Sequence, residues 1–580
     1  EFDDGLDAAN IAAAQDLSRQ HYLGGEYDMP EDEYNDYAAQ YDPHFTMPQY
    51  VADFLREFQD LIHRDVYVQE KDEYGEIIGY KPDPLVREQK LNSIRECYEV
   101  RFSSISDRFY KQQPWPHPIE QVAPLVENDD VFIMLYKELY FRHMYARLGQ
   151  AISIEQRIES WENYILLFDR IFSDEDDMQS IDLPVQWLWD MVDEFVYQYQ
   201  DFCRFRTKDI KKRPQSDIDL LASKLHVYDT MQVLGTLNRM VSQSDINNIL
   251  REDKEDPDGF RLHIALSSEI GIAHVQLVLG YFSIVCMCRV HASCGDFHTA
   301  LKSVENLDFK SSENSHQAPV YMRVTSCYIT LYYFMGYSYM MMRRYMDAVR
   351  TMSQVVLYLS RTQHLTRPYQ YEQLNKRSEQ MYKLIAICIS LCPQRSVEDS
   401  IMQYIQDKYS DQLSRLSKGE ESMYEEFFGF AGPKAVYPGI PNYQDLNSRE
   451  IGQTVSQQWN TFLADIRQQQ KLPLIRSYLK LYTTLSTGKL ASFAENMPED
   501  KLRSNLLCLK HKTIGKVKPV NRGGSPLDGE LASSSNVDFY LEKGVIHIAD
   551  TRVAPTFAHY FTKHIAKLES LVSDLSVRPA

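Results

Sequence analysis

The sequence predicts a mainly α-helical chain: a tetratricopeptide-like solenoid of helical repeats, then a winged-helix domain, then a C-terminal helix. Three observations carry this. Gly 23 and Pro 24 among 580 residues make about 8% of the chain, where ~12% is usual, and so few breakers over such a length favour helices. Apolar residues recur at helical spacing from about residue 49 onward. The one confident strand signal, at 537–551, comes late and follows three short helical patterns.

Composition narrows the class of function. The net charge of −20 argues against a protein whose main task is coating nucleic acid. The charge is uneven: residues 1–50 hold 12 acids and one base, Arg19, whereas 501–522 hold seven Lys or Arg and no acid. Nine Cys, an odd number without framework spacing, include Cys286, Cys327 and Cys388 inside apolar helical runs. That is the usage of reduced core thiols in a cytoplasmic protein. The uncharged stretches 270–288 and 324–342 are long enough to span a bilayer. Their His, Gln, Ser, Thr and Tyr content reads instead as buried repeat helices.

Along the chain, residues 1–48 read as an acidic, Tyr-rich, mostly disordered tail, either solvated or a docking segment. Residues 49–207 form an N-terminal helical domain. Within it, 71–84 reads as a turn or short hairpin and the Gln113-Pro114-Trp115-Pro116 stretch as a rigid corner. Ile154, Ile158, Trp161, Ile165, Phe168 and Phe172 step by 4-3-4-3-4, one face of a helix. The polar, basic stretch 208–219 suggests a soft boundary, and 208–470 reads as helical hairpins. There, 288–304 and 336–352 superpose at a shift of 48, each with an aromatic residue (Phe297, Tyr345) three before an Ala (Ala300, Ala348). Gly336, Tyr339 and Ala348 have tetratricopeptide spacing: antiparallel helices approach closely only where small residues face each other. A Gly/Pro-rich connector, 429–445, precedes a long helix at about 449–470.

The winged helix is assigned to 471–553. A helix over 475–485 is followed by a second opening on Ser486 as its cap. A third opens at Pro498-Glu499-Asp500, with a stripe of Leu502, Leu506 and Leu509. The strands alternate around Lys543-Gly544 and read as a hairpin. Three helices and a two-stranded wing give the winged-helix order, with 515–536 as an exposed loop before the wing. In 554–580, Phe561, Ile565, Leu568, Val572 and Leu575 recur at 4-3-4-3, a heptad seam for a helical bundle with other chains or for packing on its own domain.

Helical repeats running into a winged helix and a trailing helix resemble the PCI module shared by the proteasome lid, the signalosome and translation initiation factor 3. Five segments make the match closer: 136–148, 183–200, 342–350, 475–485 and 537–551 are similar to the subunit L family of eukaryotic translation initiation factor 3. The resemblance runs from about 50 to 575. It implies a structural subunit of that factor, supporting assembly of the 43S pre-initiation complex and mRNA recruitment to the small ribosomal subunit. It implies other subunits of the factor as partners, K and E as neighbours, and no catalytic residues. The alternatives are a PCI scaffold subunit of a lid or signalosome type of assembly, or an RNA-binding winged-helix protein.

No catalytic, cofactor-binding or metal-ligating set is expected. His63-Arg64-Asp65 imitates a kinase catalytic loop, but Glu70 stands where Asn is required and no Gly-rich loop accompanies it. Thr487-Gly488-Lys489-Leu490 lacks the rest of a phosphate loop. Cys286, Cys288, His291 and Cys294 are the most metal-like cluster, yet Cys286 and Cys288 diverge by about 200° on a helix, where zinc ligands must converge. The candidate contact set is basic: Lys501, Arg503, Lys510, Lys512, Lys516 and Lys518 lie on and after the third winged-helix helix, the one that enters the groove in DNA readers. They suit RNA phosphates, an acidic face of a partner, or solvent.

Overall fold

The computed structural model describes residues 47–572, apart from 72–76, 150–151, 174–180, 208–212, 256–260, 269–270, 310–318, 363–367, 393–396, 444–449, 495, 519–523, 534–536, 551–559, 563 and 570. Nearly all of the tail read at 1–48 lies outside the described residues.

Helix α1 (Gln49–His63) buries Val51, Phe54, Leu55, Phe58, Leu61 and Ile62, spaced as one helical face. Strands β1 (Tyr67–Lys71) and β2 (Ile77–Pro82) pair antiparallel, with Tyr67 opposite Pro82. The hairpin read near 71–84 is therefore present. Helix α2 (Pro84–Arg95) starts on proline, and the Asp83 carboxylate caps it by accepting the Leu85 N–H at 2.8 Å. A π-helical turn (Glu96–Arg101) joins it to α3 (Phe102–Phe109). The proline-flanked corner serves to bury Trp115. Its ring stacks on Phe102 at 4.2 Å and its indole N–H donates to Ser106 Oγ at 2.9 Å.

Helices α4 (Asp130–Leu148), α5 (Ile154–Ile171) and α6 (Val185–Thr207) follow. Ser153 and Gln156 close a capping box on α5. Ile154, Ile158, Trp161 and Phe168 are buried as their spacing predicts. Between α4 and α6 lies a buried charge network. Arg142 donates to Glu138 and Tyr98, with Asp190 at 3.8 Å. Trp187 Nε1 donates to Glu138 at 3.1 Å, and Tyr164 hydroxyl to the same carboxylate at 3.2 Å. Each charge is compensated, as burial demands.

The repeat region comprises α7 (Gln215–Ser223), α8 (Thr230–Gln243), α9 (Ile246–Glu255), α10 (Arg261–Ser268), α11 (Ile272–Cys294) and α12 (Phe297–Ser303). It continues through α13 (Val320–Arg323), α14 (Thr325–Met341), α15 (Tyr345–Thr362), α16 (Pro368–Leu391), α17 (Asp399–Ser417), α18 (Glu421–Ala431) and α19 (Glu450–Gln469). Gly336 of α14 sets the closeness of α14 to α15: a Cβ there would lie 2.5 Å from Met352 Cγ. Ala348 and Ala300 are fully buried, and Phe297 meets Tyr337 edge-on at 5.7 Å. Another close approach was not read from the sequence: a Cβ on Gly280 of α11 would lie 1.9 Å from Ser244 Oγ. Helix α11 is long and apolar enough to cross a membrane, yet 78% of its most apolar stretch is buried inside the fold. One apolar core runs from Val51 to Ile466, with residues on both sides of 208–219 belonging to it.

A second, smaller core begins at Leu472 and ends at Ile546. It is built from α20 (Leu472–Leu479), β3 (Thr484–Ser486), α21 (Thr487–Phe493) and α22 (Glu499–Thr513). Strands β4 (Ile514–Val517), β5 (Glu530–Ser533), β6 (Val537–Glu542) and β7 (Val545–Asp550) follow. The main sheet has the order β3–β7–β6, and β4 pairs with β5. The wing turns at Lys543 and Gly544, both at positive φ (48° and 78°), the geometry a two-residue hairpin turn requires. Ser486 caps α21 by accepting from the Lys489 N–H at 3.3 Å. The mainly α, helical-repeat and winged-helix class is thus the architecture of the molecule.

Three expectations are corrected. The helix read over 475–485 stops at Leu479, because Thr484–Ser486 pairs with β7 as a third strand. The signal at 537–551 is not the only one, since β1–β2 and β4–β5 form two further ladders. The insert 515–536 is not a free loop: its described residues include β4 and β5, Pro526 is buried, and Leu527 packs on the large core.

Candidate interaction surfaces

Helix α22 presents two faces. Leu502, Leu506 and Leu509 are buried against the small core, which leaves the intervening cations outward. Lys501 is exposed, and Arg503 is exposed with Glu499 at 3.8 Å one turn back. The next four cations are engaged with their own chain. Lys510 donates to Phe539 carbonyl at 2.9 Å and lies 3.3 Å from Asp538. Lys512 is paired with Asp465 of α19, both side chains largely covered, and Arg343 reaches the same carboxylate at 2.9 Å. Lys516 donates to Leu527 carbonyl at 2.8 Å. Lys518 donates to Gly524 carbonyl at 3.1 Å, and burial holds its ammonium below the usual lysine range.

The insert is held by a clamp that the sequence did not disclose. At the turn between α14 and α15, Arg344 and Asp347 are buried and paired at 2.7 Å. Arg344 donates to the carbonyls of Pro526 (3.0 Å), Leu527 (3.1 Å) and Asp528 (2.7 Å), and Tyr339 hydroxyl to Pro526 carbonyl at 2.9 Å. Asp347 accepts the backbone N–H of Lys518 at 3.1 Å. An arginine fork spreads five donors in one plane, which suits a run of carbonyls from one loop. The local signal was an Arg–Asp pair three residues apart across a helix start. Its partners lie some 170–184 residues onward, beyond any periodicity argument.

Of the seam residues, Phe561, Ile565, Leu568 and Val572 are all more than half exposed, as is Tyr560. Residues 560–562, 564–569 and 571–572 are helical. Leu575 lies outside the described residues.

The metal-like cluster lies along α11 and at its C-terminal end. Cys286 and Cys288 are fully buried on α11 and burial pushes both thiols up, that of Cys288 to about 12. Tyr199 hydroxyl contacts Cys294 Sγ at 3.6 Å. Among the described residues, no group of three His, Cys, Asp or Glu could hold a metal ion. The kinase-like triplet has its own use: His63 Nε2 meets Asp129 Oδ2 at 2.6 Å, tying α1 to the start of α4.

The family model described as RNA polymerase I-associated factor PAF67 matches residues 156–568, across the repeats, the winged helix and the trailing segment. The chain is 37% identical to eukaryotic translation initiation factor 3 subunit L of Xenopus tropicalis, over 95% of this chain and 98% of that protein. It is 38% identical to the Mus musculus subunit L, over 94% of each, and 39% identical to that of Nematostella vectensis, over 84% and 90%. The chain belongs to the eukaryotic translation initiation factor 3 subunit L family. Within a subunit L fold, then, the described surfaces divide into an outward pair, Lys501 and Arg503, a self-engaged set at the end of α22 and on the insert, and an exposed trailing helix.

Proposed function

We propose that the chain is a non-catalytic, cytoplasmic scaffold subunit of translation initiation factor 3, held in the complex by its trailing helix and its winged-helix edge. In this role it supports assembly of the 43S pre-initiation complex and mRNA recruitment to the small ribosomal subunit, with subunits K and E as neighbours. The observation that carries the reading is the seam of Phe561, Ile565, Leu568 and Val572, exposed in the single chain. An apolar stripe at heptad spacing is stable in water when a partner helix covers it. Deleting 555–580 is expected to leave both cores folded, by circular dichroism, while the chain stops co-purifying with the other subunits. Undiminished co-purification would show that the seam is not the joint.

A second surface is proposed to touch RNA or an acidic partner face. Its exposed end is Lys501 and Arg503, while Lys510, Lys512, Lys516 and Lys518 contribute field from positions also used by the chain itself. Lys501→Glu with Arg503→Glu is expected to weaken RNA binding and flatten its salt dependence, leaving assembly intact. Unchanged RNA affinity removes this surface from consideration.

A further inference from the structure

A cavity of about 210 Å³ opens between α6 and the repeats, bounded by α11, α14, α16 and the stretch after α18. A single water needs ~10–15 Å³ of such space, so the room is that of a small solute. The acids of its wall are already committed. Asp193 is paired with Arg289 at 2.6 Å. Asp190 accepts from Tyr98 at 2.5 Å and from Gln186 at 3.0 Å. Burial pushes the Glu194 carboxyl up to about 8, so it is mostly neutral at pH 7.

The donors of the wall are in surplus. Arg377 donates to Gln380 at 3.0 Å and lies over the Tyr333 ring at 5.0 Å, but no carboxylate among the described residues forms an ion pair with it. Arg204 uses Nε on the Gln200 carbonyl at 3.2 Å and likewise has no described carboxylate in ion-pair contact. Trp189 is fully buried and its indole N–H has no acceptor; Ser326 Oγ is buried without a partner as well. Buried donors and charges left in this state are costly. A ligand that brings several acceptor oxygens and negative charge would satisfy the two buried donors and meet the two half-buried guanidiniums at once.

We propose that this cavity binds a small diphosphate-bearing anion, held by Arg204 and Arg377 and by the N–H of Trp189 and the hydroxyl of Ser326. Phosphate oxygens match guanidinium forks in pairs, and a diphosphate supplies enough acceptors for two forks and two single donors. Because the four residues belong to α6, α14 and α16, an occupied site ties the N-terminal helices to the repeats.

The test titrates inorganic pyrophosphate into the full-length chain and follows thermal unfolding and tryptophan fluorescence. A saturable rise in Tm is expected, absent with sodium chloride at matched ionic strength. Arg204→Gln and Arg377→Gln are each expected to weaken the apparent affinity about tenfold or more, that is ~1.4 kcal/mol, and Trp189→Phe a few-fold, with circular dichroism unchanged. Tighter binding of ADP than of pyrophosphate assigns the diphosphate to a nucleotide, and the reverse assigns it to the free anion; either supports the site. A rise reproduced by sodium chloride, or affinities unchanged in both arginine variants, overturns it. Should either arginine variant fail to fold, Trp189→Phe decides, and unaltered affinity there also overturns the proposal.

Discussion

The two apolar cores differ in kind as well as in size. The large one is aromatic and charged. Tyr98 stacks on Trp187 at 4.9 Å, Phe102 on Trp115 at 4.2 Å, and the Glu138–Arg142–Asp190 network runs through it. The small one is mostly aliphatic, Leu502, Leu506 and Ile546 among its side chains, with Phe539 buried at its edge and Tyr478, Tyr482 and Phe493 packed against it half-buried. A core that small buries little area and is correspondingly marginal. What fixes it against the large body is mostly polar: Lys512 on Asp465, and Arg344 on the carbonyls of the insert, beside the apolar contact of Leu527. The difference teaches that the large body specifies its own shape, whereas the winged helix depends on a few directional contacts for its orientation.

The largest way to break this comparison is Arg142→Ala. It strands two buried carboxylates, Glu138 and Asp190, and is expected to cost about 3–5 kcal/mol. Urea unfolding followed by tryptophan fluorescence reads it, since Trp187 donates into the network. A loss below about 1 kcal/mol would mean that the aromatics alone hold the large body. Next is Leu506→Ala, about 3 kcal/mol from a fully packed site. Amides of β6 and β7 should lose hydrogen-exchange protection while those of α11 keep theirs. Joint loss would make the two cores one cooperative unit. Third is Arg344→Ala, which leaves buried Asp347 with Arg350 at 3.6 Å as its remaining cation and the Asp528 carbonyl without its donor, while Pro526 and Leu527 keep Tyr339 and Lys516. A cost of about 2–3 kcal/mol is expected, felt as faster proteolysis within 515–533 while the β3–β7–β6 sheet stays protected.

The same division explains what the sequence disclosed. Helices of both cores were legible because their signals are local: the 4-3-4-3-4 face of α5, the Ser486 cap, the leucine stripe of α22. The wing was legible because Lys543-Gly544 joins two alternating runs and both residues take positive φ. The repeat was legible at Gly336 and Ala348, where small residues mark a close helix approach. The basic run was only half legible. Clustered in sequence, its cations read as one free surface, yet Lys510 and Lys512 find partners 29 and 47 residues away. Strand β3 escaped notice because its three residues gain their identity from β7, some sixty residues on. The Arg344 clamp and the charge network share that cause: charge pairing across the fold carries no period.

The smallest expected effect sharpens the comparison at the edge of the large body, where a single carboxylate carries two duties. Asp129 accepts the Phe132 N–H at 3.1 Å as the cap of α4, and also accepts from Gln59 at 2.9 Å and meets His63 at 2.6 Å. Burial raises its pKa, but these donors outweigh burial and hold the carboxyl at about 2. A folded value below the unfolded one, ~3.9, fixes the sign. The stabilisation is fully present above about pH 4 and is lost as pH falls toward 2. Asp129→Asn is therefore expected to cost about 1–2 kcal/mol at neutral pH and nothing further near pH 2, so the wild-type and variant stability curves converge on the acid side. Curves that stay parallel down to pH 2 would show that the Asp129 carboxylate adds nothing to stability. A helix-to-helix tie of this strength at α1 and α4 makes His63 a structural fastening, in keeping with a large body that is held from within.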